Sequence, residues 1–293
     1  MSGTAADRAH APADPTRAPA DDPARAPADD PARAPRIALI SATPTAMAPA
    51  VAGLAEEFPA AEPWSLLDDR LLADAPQDGP LPPALADRMR RLIGHALAGG
   101  ADGVLLTCSL YGSVTETVDT PVPLLAPDTA AFERALALSS GTGRVLVLAS
   151  FETAMRDSVA RFSAASAASA ASAASAASSA SAASVAAVSA GVGSAVAAPA
   201  AVGSAASGSG AEVVGVVAPD AFDAAREGNL PALRDALRDA CLPHLTGADV
   251  VLLAQYSLAP AAASLSTALG VPVVSGPQAA AAALRSALTG SPL

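Results

Sequence analysis

Short apolar runs alternate with amphipathic stretches along much of the chain. A short apolar run bounded by turn residues is typical of a buried strand, and longer amphipathic periodicity is typical of a helix. Residues 83–98 have the helical pattern, and four runs have the strand pattern: Ile37–Ile40, Trp64–Leu67, Asp102–Thr107 and Val122–Ala126. Strands that alternate with helices predict an α/β protein with parallel sheets.

The same order of segments occurs twice. Arg36–Met47 matches Arg144–Met155, and Gly100–Cys108 matches Gly247–Gln255. The second pair is further apart along the chain, by about the length of a Ser-Ala-rich tract that lies between the repeats. A repeat that holds several strands and helices indicates duplication of a whole lobe, not a solenoid.

We therefore predict two pseudo-symmetric α/β lobes, residues 36–143 and 144–293, each with a central parallel sheet flanked by helices. The site is expected in the cleft between the lobes, where the carboxyl ends of the strands converge. Residues 1–35 repeat Pro, Ala and Asp, a composition that predicts a disordered tail. The Ser-Ala tract, at about residues 163–210, predicts a mobile and partly helical insertion in the second lobe.

The charge of the chain narrows the classes of partner. The net charge is −11, which disfavours nucleic acid and anionic membranes. A small carboxylate or amino acid stays possible, since backbone N–H groups bind anions locally. All 17 basic residues are arginine, so no lysine can form a Schiff base or anchor pyridoxal phosphate. No cofactor is expected.

Cysteine and histidine usage argues against a metal site. Cys108 and Cys241 are far apart, and His10, His95 and His244 are scattered, so no zinc spacing and no disulfide framework is visible. The first residues show no apolar leader, and a reducing cytoplasm is the expected location. Whether the protein forms a homo-oligomer stays open.

The two cysteines differ in their sequence context. Cys108 directly follows the predicted strand Asp102–Thr107, where N–H groups of the next turn can stabilise a thiolate. Position alone leaves chemistry and core packing equally open for it. Cys241 lies in the helical run Leu233–Leu242 and is expected to be a packing thiol.

Several hydroxyl groups follow the first strand of each repeat. They suit a carboxylate bound at helix starts and also suit ordinary helix caps, so both interpretations stay open. These residues are Ser41, Thr43 and Thr45 in the first repeat and Ser150 and Thr153 in the second.

The two-lobe repeat, a strand-end cysteine in Leu-Leu-Thr-Cys-Ser and a Thr-Pro-Thr loop after the first strand together resemble the aspartate/glutamate racemase superfamily. The resemblance covers about residues 36–162 and 211–285. Related members are hydantoin racemases, maleate isomerases and arylmalonate decarboxylases. In that superfamily each lobe typically supplies one cysteine, and the two face opposite sides of the substrate's α-carbon without cofactor or metal. The resemblance implies that Cys108 is catalytic, with Thr107 and Ser109 beside it.

The sequence departs from that pattern in the second lobe. The position of the second cysteine is occupied by Gln255, followed by Tyr256. An amide has no useful acid or base at neutral pH, so Gln255 is expected to bind a substrate carboxylate or enolate. Tyr256 is a candidate second acid, although its ordinary pKa of about 10 makes it a poor base.

Three functional interpretations follow. The leading one is a cofactor-independent, amino-acid racemase-like isomerase that uses Cys108 for proton transfer at the α-carbon of a small carboxylate. The second is a one-thiol decarboxylase or cis–trans isomerase of the same fold. The third is a non-catalytic protein that binds a small carboxylate.

Overall fold

A computed structural model describes residues 33–76, 80–189 and 210–290 of the chain. The predicted tail therefore lies outside the described residues except for residues 33–35. Residues 190–209 of the predicted insertion also lie outside them.

Two four-stranded parallel sheets form the centre of the protein, with strand orders β2-β1-β3-β4 and β6-β5-β7-β8. The strands are β1 (Arg36–Ser41), β2 (Glu62–Leu67), β3 (Gly103–Leu106), β4 (Leu124–Leu125), β5 (Arg144–Ala149), β6 (Glu212–Val217), β7 (Ala248–Leu253) and β8 (Val273–Ser275). The central strands β1, β3, β5 and β7 are almost wholly buried, as expected for parallel strands covered on both faces. The predicted two-lobe α/β fold is confirmed.

Helices cover both faces of each sheet. They are α1 (Pro44–Glu57), α2 (Arg70–Ala73), α3 (Pro83–Ala98), α4 (Thr129–Leu138), α5 (Glu152–Ser189), α6 (Asp220–Arg226), α7 (Leu230–Cys241), α8 (Ala262–Leu269) and α9 (Gly276–Thr289). Proline at the first position starts α1 and α3, where its missing N–H leaves no bond unmade. Three 3₁₀ helices, Ser109–Thr117, Leu242–His244 and Tyr256–Ala261, lie in the connections.

The last helix of each lobe packs on the sheet of the other lobe. Although α4 lies in the sequence range of the first lobe, its Phe132 joins the core of the second sheet. Conversely, α9 packs on α1 and on the first sheet. A Cβ atom at Gly53 of α1 would lie 2.7 Å from the backbone carbon of Pro277, so only glycine allows this approach of α1 to α9.

The Ser-Ala tract continues α5, which reaches Ser189 without a break. Alanine favours the helix, and small side chains leave the tract with little apolar surface to bury. Within the described ranges, no helix combines the length and the hydropathy that crossing a bilayer requires.

Candidate active site

Cys108 occupies the junction between β3 and the 3₁₀ helix Ser109–Thr117. Its backbone is extended, with φ −122° and ψ 118°, and the residue is half-buried. Burial raises the pKa of the Cys108 thiol to about 11, and the charge of Asp128 contributes in the same direction. The backbone N–H of Leu110, which donates to the sulfur, and the charge of Arg161 oppose this increase. At neutral pH the thiol is therefore protonated, with thiolate-stabilising groups beside it.

Hydroxyl groups surround the same end of the first sheet. The Thr107 hydroxyl donates to Ser41 Oγ at 2.9 Å, which joins the ends of β3 and β1 next to Cys108, and both residues are buried. Thr43 and Thr45 lie at the start of α1, with their hydroxyl oxygens 3.3 Å apart. The structure thus places these predicted residues at the carboxyl edge of the first sheet.

Gln255 has the same place in the second lobe that Cys108 has in the first. It lies between β7 and the 3₁₀ helix Tyr256–Ala261, with φ −138° and ψ 140°. Gln255 Oε1 accepts hydrogen bonds from the backbone N–H of Ser150 at 2.7 Å and from Ser150 Oγ at 2.9 Å. No described protein atom accepts a hydrogen bond from Gln255 Nε2, which leaves this amide group as a donor for a ligand. Thr153 lies close by along the chain, exposed in the first turn of α5.

Tyr256 packs in the core between the lobes. Its hydroxyl donates to the carbonyl oxygen of Pro127 at 3.4 Å, and a Cβ atom at Gly276 would lie 2.5 Å from its ring. Burial raises its pKa well above the ordinary value, with a further contribution from Asp128. A buried, bonded phenol with a raised pKa fits packing better than it fits a second acid or a substrate-binding group, the roles for which Tyr256 was a candidate in the sequence.

A cavity of about 1400 Å³ lies between the 3₁₀ helix Ser109–Thr117, α4 and α5, and Cys108 is not part of its lining. Among the predicted site residues its lining includes Ser109 alone. Asp128 and Arg161 also line it, and Arg161 Nη1 donates to Asp128 Oδ2 at 2.6 Å. The Arg161 guanidinium lies 5.5 Å from the centre of the Phe132 ring, which fixes the cation in place.

The charged pair Asp128–Arg161 was not predicted from the sequence. Asp128 comes three residues after β4, a strand-end position that could have indicated a site residue. Arg161 gives no comparable signal, because it lies inside α5 and not in the loop that follows the end of β5. Only the packing of α5 against α4 brings it near Cys108.

The arrangement described so far defines a duplicated α/β protein with a strand-end thiol in one lobe and an amide at the corresponding position of the other. No protein-family model and no curated protein matches the sequence. Solved structures do match the fold. A glutamate racemase isoform from Bacillus anthracis is similar at 10% identity, with a TM-score of 0.55 over 88% of this chain and 83% of that one.

Two further structures extend this similarity. The aspartate racemase of Picrophilus torridus has 11% identity and a TM-score of 0.52 over 87% of this chain and 94% of its own. A glycine-to-cysteine mutant of arylmalonate decarboxylase has 19% identity and a TM-score of 0.50, over 88% of this chain and 95% of that one. The chain therefore shares its two-lobe α/β fold with these racemase and decarboxylase structures.

Proposed function

We propose that the chain is a cofactor-independent enzyme in which the Cys108 thiol transfers a proton at the α-carbon of a small carboxylate. The observation that carries the proposal is a single half-buried thiol at the end of β3, matched in the other lobe by Gln255. Gln255 Nε2 is available to bind a carboxylate or an enolate oxygen, since Ser150 holds the other end of the amide.

The protonation state favours Cys108 as an acid. With a pKa of about 11, only about one thiol in ten thousand is ionised at pH 7. A protonated thiol can deliver a proton to a carbanion formed by another step. It is a poor group for removing a proton from carbon.

Decarboxylation suits a single acid of this kind. The bond between the α-carbon and a carboxylate breaks, carbon dioxide leaves, and the electron pair stays on the α-carbon as an enediolate. The Cys108 proton moves to that carbon, and the resulting thiolate takes a proton from water. The step requires a donor on one face only, which agrees with an amide at Gln255 and with a Tyr256 hydroxyl buried on Pro127.

Racemisation is the second candidate, and it corresponds to the racemase-like isomerase expected from the sequence. It requires a thiolate to remove the α-proton and an acid on the opposite face to return one. The N–H of Leu110 and the charge of Arg161 both lower the pKa of Cys108, which favours this use of the sulfur. The named activities of two fold neighbours also support it, although Gln255 supplies no proton.

The test is a panel of amino acids, hydroxy acids and malonates incubated with the protein in D₂O. Proton NMR follows deuterium at the α-carbon, and chiral chromatography follows configuration in the same samples. Cys108→Ala should slow incorporation about a thousandfold, whereas Cys241→Ala should retain it, since Cys241 is buried in α7 away from the strand ends. Incorporation with loss of carbon dioxide supports the decarboxylase, and incorporation with loss of optical purity supports the racemase. Binding without incorporation would contradict the enzymatic proposal and leave a carboxylate-binding protein.

A further inference from the structure

A fully buried tyrosine connects the turn that carries Cys108 to a second segment of the first lobe. Tyr111 is 0% exposed and lies in the 3₁₀ helix that directly follows Cys108. Its backbone N–H donates to the carbonyl oxygen of Cys108 at 3.1 Å, and its phenol hydroxyl donates to the carbonyl oxygen of Leu71 in α2 at 2.7 Å. Tyr111 is therefore held at its backbone by Cys108 and at its hydroxyl by α2.

Ion pairs fix the segment that contains α2 to α3. Arg88 of α3 donates to both carboxylate oxygens of Asp68, at 2.6 and 2.7 Å, and to Asp74 at 3.2 Å. Asp68 precedes α2 and Asp74 follows it, so the guanidinium connects the two ends of this short helix. Leu71 itself is completely buried. α2 is thus a fixed support for Tyr111.

The second lobe has the same turn without the bond to the neighbouring segment. Leu258 corresponds to Tyr111, because each comes three residues after the strand-end residue, Gln255 or Cys108. The N–H of Leu258 donates to the carbonyl oxygen of Gln255 at 3.1 Å, and Leu258 is also 0% exposed. A leucine side chain has no hydrogen-bonding group. The bond through the side chain is therefore made in the lobe that carries the thiol.

The Tyr111 phenol is suited to support and not to proton transfer. Burial raises the pKa of Tyr111 to about 12, and the charge of a Cys108 thiolate acts in the same direction. The hydroxyl therefore stays protonated at neutral pH, and its one proton is already donated to Leu71. Position alone can matter greatly, since a displacement of about 1 Å at a reacting group can cost about 100-fold in rate.

We propose that Tyr111 is a positioning residue that holds the Cys108 thiol in place through the turn they share, with α2 as its support. This inference rests on the proposed function for the reaction that the thiol performs. The order of the turn itself can be measured without any reaction.

The first test measures the turn directly, by amide hydrogen exchange and mass spectrometry of Tyr111→Phe protein. Phenylalanine preserves the ring and removes the bond to Leu71, so we expect exchange in residues 108–117 to become about tenfold faster. Ser166→Ala is the matched control, since Ser166 is also buried and its hydroxyl oxygen accepts the N–H of Ala211 at 2.8 Å, at the amino edge of the second sheet. The control should leave exchange in residues 108–117 unchanged.

The second test measures turnover. We expect Tyr111→Phe to lower kcat about tenfold, while KM and the pH midpoint of Cys108 alkylation stay as in wild type. The reason is that the thiol is displaced while its charged surroundings are preserved. Arg88→Gln removes the ion pairs that fix α2, leaves the turn itself intact and should lower kcat about threefold. This half-buried residue keeps the turnover test decisive if Tyr111→Phe folds poorly.

Unchanged exchange in Tyr111→Phe, or an equal acceleration in Ser166→Ala, would overturn the inference. A rise in KM at constant kcat, or a shifted pH midpoint, would also overturn it, because the phenol would then act on the substrate or on the charge of the thiol. Absence of turnover by wild-type protein would contradict the proposed function, and the exchange result would still decide the inference. Turnover by wild-type protein with an unchanged kcat in Tyr111→Phe would do the reverse.

Discussion

The two lobes have the same backbone arrangement at the ends of their central strands but different side chains there. Cys108 and Gln255 both follow a central strand in extended conformation and both precede a 3₁₀ helix. The next residue is Ser109 in one lobe and Tyr256 in the other. Ser109 lines a cavity of about 1400 Å³, whereas the Tyr256 ring is buried against Gly276. The residue after the thiol therefore faces a cavity, whereas the residue after the amide is buried in the core.

The helices show the same difference. Gly53 in α1 and Arg161 in α5 occupy corresponding positions of the two repeats, and each faces the last helix of the opposite lobe. Gly53 lets α9 approach within van der Waals contact, while Arg161 extends to Asp128 and stacks on Phe132 of α4. A large side chain in place of glycine thus lines the cavity between α4 and α5. We infer that a duplicated fold becomes chemically one-sided through a few side chains at equivalent positions.

Removing the thiol should have the largest effect. Cys108→Ala leaves no acid at the α-carbon, and we expect kcat/KM to fall about a thousandfold, within the range usual for loss of a general acid or base. Deuterium incorporation in D₂O measures it. Cys241→Ala removes the only other thiol and should stay within about twofold of wild type in kcat/KM, so a similar loss in both variants would refute the assignment.

The close packing of α1 against α9 can be disrupted at Gly53. Gly53→Ala improves helix propensity but forces the new Cβ atom against the Pro277 backbone, so we expect a net loss of about 1–2 kcal/mol in the free energy of unfolding. Urea denaturation measures it. Gly94→Ala is the matched control, because Gly94 lies inside α3 with open space around it. That variant should gain about 0.5–1 kcal/mol. A stabilised Gly53→Ala would show that α1 and α9 are not in close contact.

Substitutions at Gln255 test whether its amide binds the substrate at the position that corresponds to the Cys108 thiol. Gln255→Ala removes the donor to the substrate carboxylate, and we expect KM to rise about tenfold with a smaller change in kcat. Gln255→Glu keeps an acceptor for Ser150 but presents a negative charge to an anionic substrate, so its KM should rise further. If Gln255 only positions Ser150, the glutamate variant will behave like wild type.

The smallest expected effect is on the acidity of Cys108. The negative charge of Asp128 raises the pKa of Cys108, so Asp128→Asn should move the pH midpoint of Cys108 alkylation downward from about 11. The thiolate fraction at pH 8 then increases, and we expect alkylation there to be about two- to fivefold faster. Asp157→Asn is the control, since Asp157 is a solvent-exposed partner of Arg161. An upward shift in Asp128→Asn would contradict the proposed electrostatics.

Much of the fold could be predicted because it depends on apolar runs and on an internal repeat. Apolar runs and the repeat are visible even in a chain with few aromatic residues. The position of Cys108 could be predicted because it directly follows β3. The exchange of α4 and α9 between lobes could not be predicted, because a strand–helix pattern does not tell which sheet a helix covers. The proximity of Arg161 to Cys108 depends on that exchange. The burial of Tyr256 depends on Gly276, a contact between segments that sequence periodicity does not connect.

The central claim is that proton transfer occurs on one face of the α-carbon. The most direct measurement is the configuration of the α-carbon after reaction of a disubstituted malonate in D₂O, by chiral chromatography and mass spectrometry. The account predicts one deuterium per product molecule and a single enantiomer from wild-type protein, with product formed about a thousandfold more slowly by Cys108→Ala. A racemic product, or deuterated product that Cys108→Ala forms at the wild-type rate, would contradict it.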